Sequence, residues 1–199
     1  MKNMDPKYII ELTVKLFATC LIVAGLLGVV NMVTAPNIAA INKAKTEEAM
    51  KAVVADAENS TFSDPMEITA DMEAAAASAG ATVTEAYAVE ANGAAAGHAL
   101  KIVASGSQGS IEMMVGLDAD GAVTGVSVVK NSETAGIGSK VMENEPTAKG
   151  VGVLDQFIGK NTADLSVGSS VDAITGATVS TKGVTTGVNA AIAVGGVLN

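Results

Sequence analysis

Thr178 ends a run of small residues, Asp172-Ala173-Ile174-Thr175-Gly176-Ala177-Thr178, between a short apolar stretch and an almost uncharged helical pattern. A small-residue turn followed by a helix start is an anion cradle. The free N–H groups and the positive end of the helix dipole face whatever sits there. Thr178 adds a hydroxyl at that point. The sequence therefore offers an oxygen that can be esterified to a phosphate where a phosphate is best held. A plain Gly turn at a helix start has the same composition, so other segments must support the chemistry.

The heptapeptide resembles the flavinylation motif of the FMN-binding subunits of the Rnf complex and the sodium-pumping NADH:quinone reductase. In that family an Asp, two variable residues, Ser or Thr, then Gly-Ala-Thr receives FMN as a phosphoester on the last Thr. The resemblance implies Thr178 as the acceptor, with Thr175, Gly176 and Ala177 forming the turn that presents it. A second stretch, Asn131-Ser132-Glu133-Thr134-Ala135-Gly136-Ile137-Gly138-Ser139-Lys140, resembles the family's Glu-Thr-Pro-Gly-Leu-Gly signature. Ala135 replaces the Pro, which frees φ, and Ile137 replaces the Leu. The resemblance implies that Glu133, Thr134, Gly136, Ile137 and Gly138 approach the isoalloxazine ring. Taken without a ligand, the stretch reads as a strand-to-helix connection with Ser139 as a cap. The two signatures occur in the family's order, and the likeness runs from the anchor to the end of the chain.

Elements on both sides must position these residues. From Thr82 the hydrophobic period is two. Val83, Glu85, Tyr87 and Val89 alternate with smaller residues, Leu100 and Ile102 mark a second strand, and Ile111, Met113, Val115 and Leu117 a third. Asp118-Ala119-Asp120-Gly121 makes a turn. Its Asp-x-Asp-Gly lacks the further ligands of a calcium loop. Val123, Val126 and Val128 follow on a return strand whose register Gly125 interrupts. A short helix is predicted from Asp71 to Ser78. Val184, Val188, Ala191 and Ile192 give a final helix with one apolar face, too short and too polar to cross a bilayer. The expected fold class is α+β: one transmembrane helix, then a domain of antiparallel strands with flanking helices.

The anchor is predicted at 16–35, about 20 residues long. A cleavable signal peptide fits less well, because no clean cleavage site follows the long apolar run. A type IV pilin helix is disfavoured by Lys15 and Pro6. Residues 1–15 are assigned to the cytoplasm, 36–80 to a juxtamembrane helix and connector, and 81–199 to the FMN-binding domain. Met50, Val53, Val54 and Ala57 give the connector helix one apolar face. Lysines flank the span evenly, and the family resemblance sets the orientation: N-terminus inside, domain on the extracytoplasmic face.

Composition excludes other classes. The chain has 199 residues and a net charge of −9, and its twelve basic residues are all lysines. A nucleic-acid binder needs a basic face and usually Arg forks, so no nucleic-acid partner is expected. The single Cys20, within the apolar run, and the single His98 cannot build a metal cluster. No metal ligands and no catalytic residues are expected. The resemblance implies a non-catalytic electron carrier with covalent FMN. Its expected partners are membrane lipid, other membrane subunits of an Rnf-type ferredoxin:NAD complex and a flavin transferase that uses FAD and a divalent metal. A quinone-reductase subunit and an anchored binding domain without cofactor remain the alternatives. Lys182, one helical turn past Thr178, is a further candidate for charge near the phosphate.

Overall fold

The computed structural model describes residues 6–198; the first five residues of the expected cytoplasmic segment and Asn199 lie outside it. The chain divides into two compact units, with the division after Ala44.

The first unit is helical. Helix α1 covers Pro6–Ala52, with Pro36 inside it. The sequence predicts a break at Pro36, followed by a separate juxtamembrane helix; the helix instead runs through. Proline removes one backbone donor and crowds one carbonyl. In a helix of 47 residues that local cost does not outweigh cooperative bonding on either side. Among the described residues α1 is the one helix long and apolar enough to cross a membrane. It is about 70 Å long, against a hydrocarbon core of about 30 Å. Its apolar side chains from Tyr8 to Ile41 are exposed, as a lipid-facing segment requires.

The second unit starts at Lys45. It holds a five-stranded antiparallel meander: β1 (Ser60–Phe62), β2 (Ala81–Ala91), β3 (Ala94–Ser105), β4 (Ser110–Asp118) and β5 (Val123–Asn131). Helix α2 (Ala70–Ser78) begins where Thr69 accepts the Met72 N–H at 3.3 Å, with Asp71 and Glu73 in its first turn. Both features favour a helix N-terminus. Helix α3 (Ser139–Met142) is a short turn that follows β5. Helix α4 (Thr178–Leu198) packs on the same sheet face as α2. Leu100, Ile102, Ile111, Met113 and Val115 from the sheet meet Val184, Val188 and Ala191 there. Each large side chain so buried contributes about 1.5–3 kcal/mol. Gly187 lets α4 close on the sheet, because a Cβ there would lie 2.6 Å from the Met113 sulfur. The predicted core helix is therefore present, and its lack of charge reflects burial.

The other sheet face carries a smaller core. Ala49 and Met50, in the last turn of α1, and Val53 just after it pack on Tyr87, Val89, Ala99, Met114 and Val129. Val54 is half-buried and Ala57 exposed, both beyond the end of the helix. The expected face of four apolar residues is thus cut short. Gly116 and Gly125, paired across β4 and β5, open a notch for the Val53 backbone. The Thr124 hydroxyl donates to Val53 O at 2.5 Å.

Strand β2 departs from simple alternation. The register shifts between Val83 and Glu85, so Val83 and Ala86 join the α4-side core while Tyr87 and Val89 face the other way. One extra residue at a bulge inverts every later side chain. In β5 a shift at Thr124, beside Gly125, places Val123 on the same side as Val126 and Val128. The interruption near Gly125 is where the sequence predicts it. The turn after β4 also forms as expected: the Asp118 carboxylate accepts the N–H groups of Asp120 and Ala122 at 2.9 and 2.8 Å.

Two groups on the sheet link stability to pH. Burial tends to raise the Glu85 carboxyl, but bonds from Lys101 (2.8 Å) and Tyr87 (2.5 Å) outweigh it and hold it below its ordinary 4.5. Burial first, then Glu85, pushes the Tyr87 hydroxyl up. Burial lowers His98 below its ordinary 6.5, and its buried Nδ1 has no hydrogen-bond partner among the described residues. Below pH 6.5 the unfolded chain takes up a proton at His98 that the folded chain resists, so stability falls with pH. Glu85 contributes stability above 4.5 that is lost as pH drops through its lowered value. Denaturant midpoints of the full chain in detergent should decline in both windows. His98→Gln should flatten the upper decline and Glu85→Gln the lower one; unchanged slopes would refute these origins.

Candidate functional site: an open helix start facing a glycine turn

The chain reaches the site along an irregular segment, 143–177, held by side-chain amides. Asn144 Oδ1 accepts the Leu154 N–H at 2.8 Å. Asn189 of α4 pairs with both backbone groups of Leu165, at 3.1 and 2.9 Å. Gln156 does the same for Asp172: its Oε1 accepts the Asp172 N–H at 2.7 Å and its Nε2 donates to Asp172 O at 3.1 Å. These bonds satisfy backbone groups that no sheet or helix supplies. They also fix where the heptapeptide begins. The Asp172 carboxylate meets Lys149 at 2.8 Å.

Within the heptapeptide, Ala177 N–H donates to Ile174 O at 2.9 Å and closes a turn with Thr175 and Gly176 at its centre. Gly176 has φ +85°, the third-position conformation that a type II turn demands. The second signature builds the same device. Ile137 N–H donates to Thr134 O at 3.2 Å, and Gly136 has φ +77°. Ser139, expected to cap α3, reaches back instead and accepts the Gly136 N–H at 2.8 Å. Ala135 occupies the second turn position, where Pro is favoured, and its N–H has no acceptor among the described residues. Ala135→Pro should therefore raise stability by about 0.4–1 kcal/mol through the unfolded chain. A lowered denaturant midpoint would show that the loop needs the freedom alanine gives.

Helix α4 starts without a cap. Ala177 accepts the first intrahelical bond, from Thr181 N–H at 2.9 Å, and so stands at the N-cap with no side-chain oxygen. The N–H groups of Thr178, Val179 and Ser180 precede that bond, and no side chain among the described residues accepts them. Thr178 is the first helical residue and is exposed; Ala177 is buried beneath it. Thr181 is fully buried, and its hydroxyl donates to Ala177 O. Thr175 is exposed. Lys182 is exposed as well.

The two signatures meet at a cleft of about 150 Å³. Thr134, Ile137 and Gly138 line one side, and Gly176, Thr178 and Val179 the other. Ile137 and Val179 are 51% and 56% exposed, apolar surfaces beside the Thr178 hydroxyl. Glu133 also borders the cleft, but its carboxylate is taken by protein groups: Oε1 accepts the N–H groups of Ser107 and Gln108 at 2.8 and 3.2 Å, and Oε2 accepts the Ser180 hydroxyl. Ser107 and Ser180 are site residues that sequence reasoning missed. The polar run Ser105-Gly106-Ser107-Gln108-Gly109-Ser110 was the available signal for the first. Among the described residues no group of three or more His, Cys, Asp and Glu side chains is placed to hold a metal.

The cleft fits a phosphate-bearing ring compound on two counts. The uncapped helix start supplies N–H donors beside an accessible hydroxyl, and Ile137 and Val179 offer apolar surface. A family model for the FMN-binding domain matches residues 106–193, which span both signatures and the Ser107 loop. A relative from Acetobacterium woodii, the G subunit of its Na(+)-translocating ferredoxin:NAD(+) oxidoreductase complex, is 32% identical over 96% of this chain and 94% of the relative. The chain belongs to the G-subunit family of ion-translocating oxidoreductase complexes. The corresponding subunit of the Methanosarcina acetivorans ion-translocating oxidoreductase complex is 28% identical over 94% of this chain and 95% of its own length. That of Aliivibrio fischeri MJ11 is 33% identical over 53% of this chain. In this member of the G-subunit family the domain match therefore falls on β4, β5, α3 and most of α4, and it takes in the whole cleft.

Proposed function

We propose that this member of the G-subunit family is a membrane-anchored electron carrier with FMN joined by a phosphoester to Thr178. The observation that carries the reading is the exposed Thr178 hydroxyl at an uncapped helix N-terminus, in a cleft that both signatures line. Bound FMN supplies one- and two-electron transfer that no side chain here can perform. Thr178 holds the phosphate, and the N–H groups of Val179 and Ser180 offset its charge. Ile137, Val179 and the Thr134 turn approach the ring. At about 150 Å³ the cleft is below the roughly 300–1,000 Å³ of pockets that enclose a ligand. The cleft would therefore hold only part of a bound flavin, through Thr178 at the phosphate and Ile137 and Val179 beside it.

Attachment is a phosphoryl transfer. The Thr178 Oγ–phosphorus bond forms, the pyrophosphate bond of FAD breaks, AMP leaves, and the hydroxyl proton passes to a base on the transferase. The partners in this reading are that flavin transferase, membrane lipid around α1, and the other membrane subunits of an Rnf-type ferredoxin:NAD complex. The N-terminus lies in the cytoplasm and the FMN domain on the extracytoplasmic face, where a covalent tether keeps the cofactor from being lost. Co-expression with a flavin transferase tests the reading. A denaturing gel should show flavin fluorescence in the band of this chain. A dark band, with a transferase proven active on another acceptor, would sink it and leave an anchored binding domain.

A further inference from the structure

Glu133 is carried by the second signature, yet both oxygens of its carboxylate accept hydrogen bonds from protein groups. Two glycines make room for it. A Cβ on Gly106 would overlap Oε1, and a Cβ on Gly138 would overlap Oε2. Two backbone N–H groups from the β3–β4 loop and the buried Ser180 hydroxyl of α4 complete the socket. Its own N–H donates to Asn131 Oδ1 at 3.1 Å, which holds the backbone behind it. These partners are 26, 25 and 47 residues away in sequence. Bonds to a charged acceptor are about twice as strong as neutral ones. One side chain thus ties three segments that each border the Thr178 cleft.

We infer that Glu133 is a positioning residue and not a flavin contact. It sets the distance between the Ser107 loop and the first turn of α4, and so holds the Thr178 hydroxyl open in the cleft. The consequence for flavin loading rests on the covalent-FMN reading; the socket itself does not.

Amide hydrogen exchange on the unloaded full chain in detergent reads the socket directly. In Glu133→Ala the amides of Ser107 and Gln108 should exchange about tenfold faster, while those of β4 stay as in the parent. Glu133→Gln keeps an acceptor but loses the charge, so the same two amides should quicken by a smaller factor. Gly106→Ala, whose methyl crowds the carboxylate without altering it, should quicken the Ser107 and Gln108 amides as Glu133→Ala does; the same methyl meets the Ile111 side chain of β4, so the β4 amides serve as the reference only in the Glu133 variants. Under limiting transferase, covalent flavin should accumulate more slowly in Glu133→Ala than in Glu133→Gln. Parent-like exchange at Ser107 and Gln108 in Glu133→Ala or Gly106→Ala would overturn the proposal. So would parent-like loading in a Glu133→Ala chain with altered exchange. If the parent chain takes no flavin, the covalent reading fails, and the exchange data still decide the role of Glu133. If Glu133→Ala does not fold, Glu133→Gln and Gly106→Ala carry the same decision.

Discussion

Thr178→Ala should give a folded chain that carries no covalent flavin. Among the described residues the hydroxyl has no hydrogen-bond partner, and the N-cap is Ala177, so no cap is lost. Removing an exposed, unbonded hydroxyl changes stability by no more than about 0.5 kcal/mol. Flavin attachment, in contrast, should vanish, because no other oxygen in the cleft has the same setting. Thr181 is buried, with its hydroxyl bound to Ala177 O, so Thr181→Ala should keep the flavin. Thr175 is exposed in the turn and is the true rival; Thr175→Ala should also keep it. Thr178→Ser restores a hydroxyl at the same place and should recover loading. In-gel fluorescence with a matched Coomassie stain measures all four. Flavin that persists in Thr178→Ala and disappears in Thr175→Ala would move the acceptor.

Gly116→Ala should produce a large loss of stability. A methyl at Gly116 would overlap the Val53 carbonyl oxygen, which already accepts the Thr124 hydroxyl at 2.5 Å. The neighbouring Gly125 has its own missing Cβ 2.9 Å from Val53 Cα. Backbone lies opposite both glycines, so no rotamer change relieves the overlap. Overpacking of this kind costs about 1–3 kcal/mol, and the lost Thr124 bond adds to it, so about 2–4 kcal/mol is expected. The end of α1 would lift from the sheet and uncover Met50 and Tyr87. Denaturant unfolding followed by far-ultraviolet circular dichroism measures the effect, with Gly196→Ala, where nothing lies within 4 Å, as the control. A Gly116→Ala midpoint equal to the parent's would mean that the notch does not seat Val53.

Much of this was legible in the chain. The period-two runs at Leu100–Ile102 and 111–117 became β3 and β4 because their large side chains fill the core under α4, while Ala99 and Met114 face the smaller core on the other side. The uncharged tail became α4, whose small residues let it lie on the sheet. Both signatures came together, as spacing alone could not show. What stayed hidden depends on long-range bonds. The bulge in β2 inverts Tyr87 and Val89, since register is set by the partner strand and by α1. Pro36 read as a break because local propensity ignores the rest of a long helix. Gln156 and Asn189 lie in no motif, yet they clamp backbone groups 16 and 24 positions away. Glu133 was marked by the family signature, but its bonds to Ser107, Gln108 and Ser180 join segments that no local pattern connects.

The most direct measurement is peptide mapping by mass spectrometry of the chain made with an active flavin transferase. The account predicts that the peptide containing residues 172–182 is heavier by FMN less one water, with fragmentation placing the addition on Thr178. The same peptide at its unmodified mass, or an addition placed on Thr175, would contradict it.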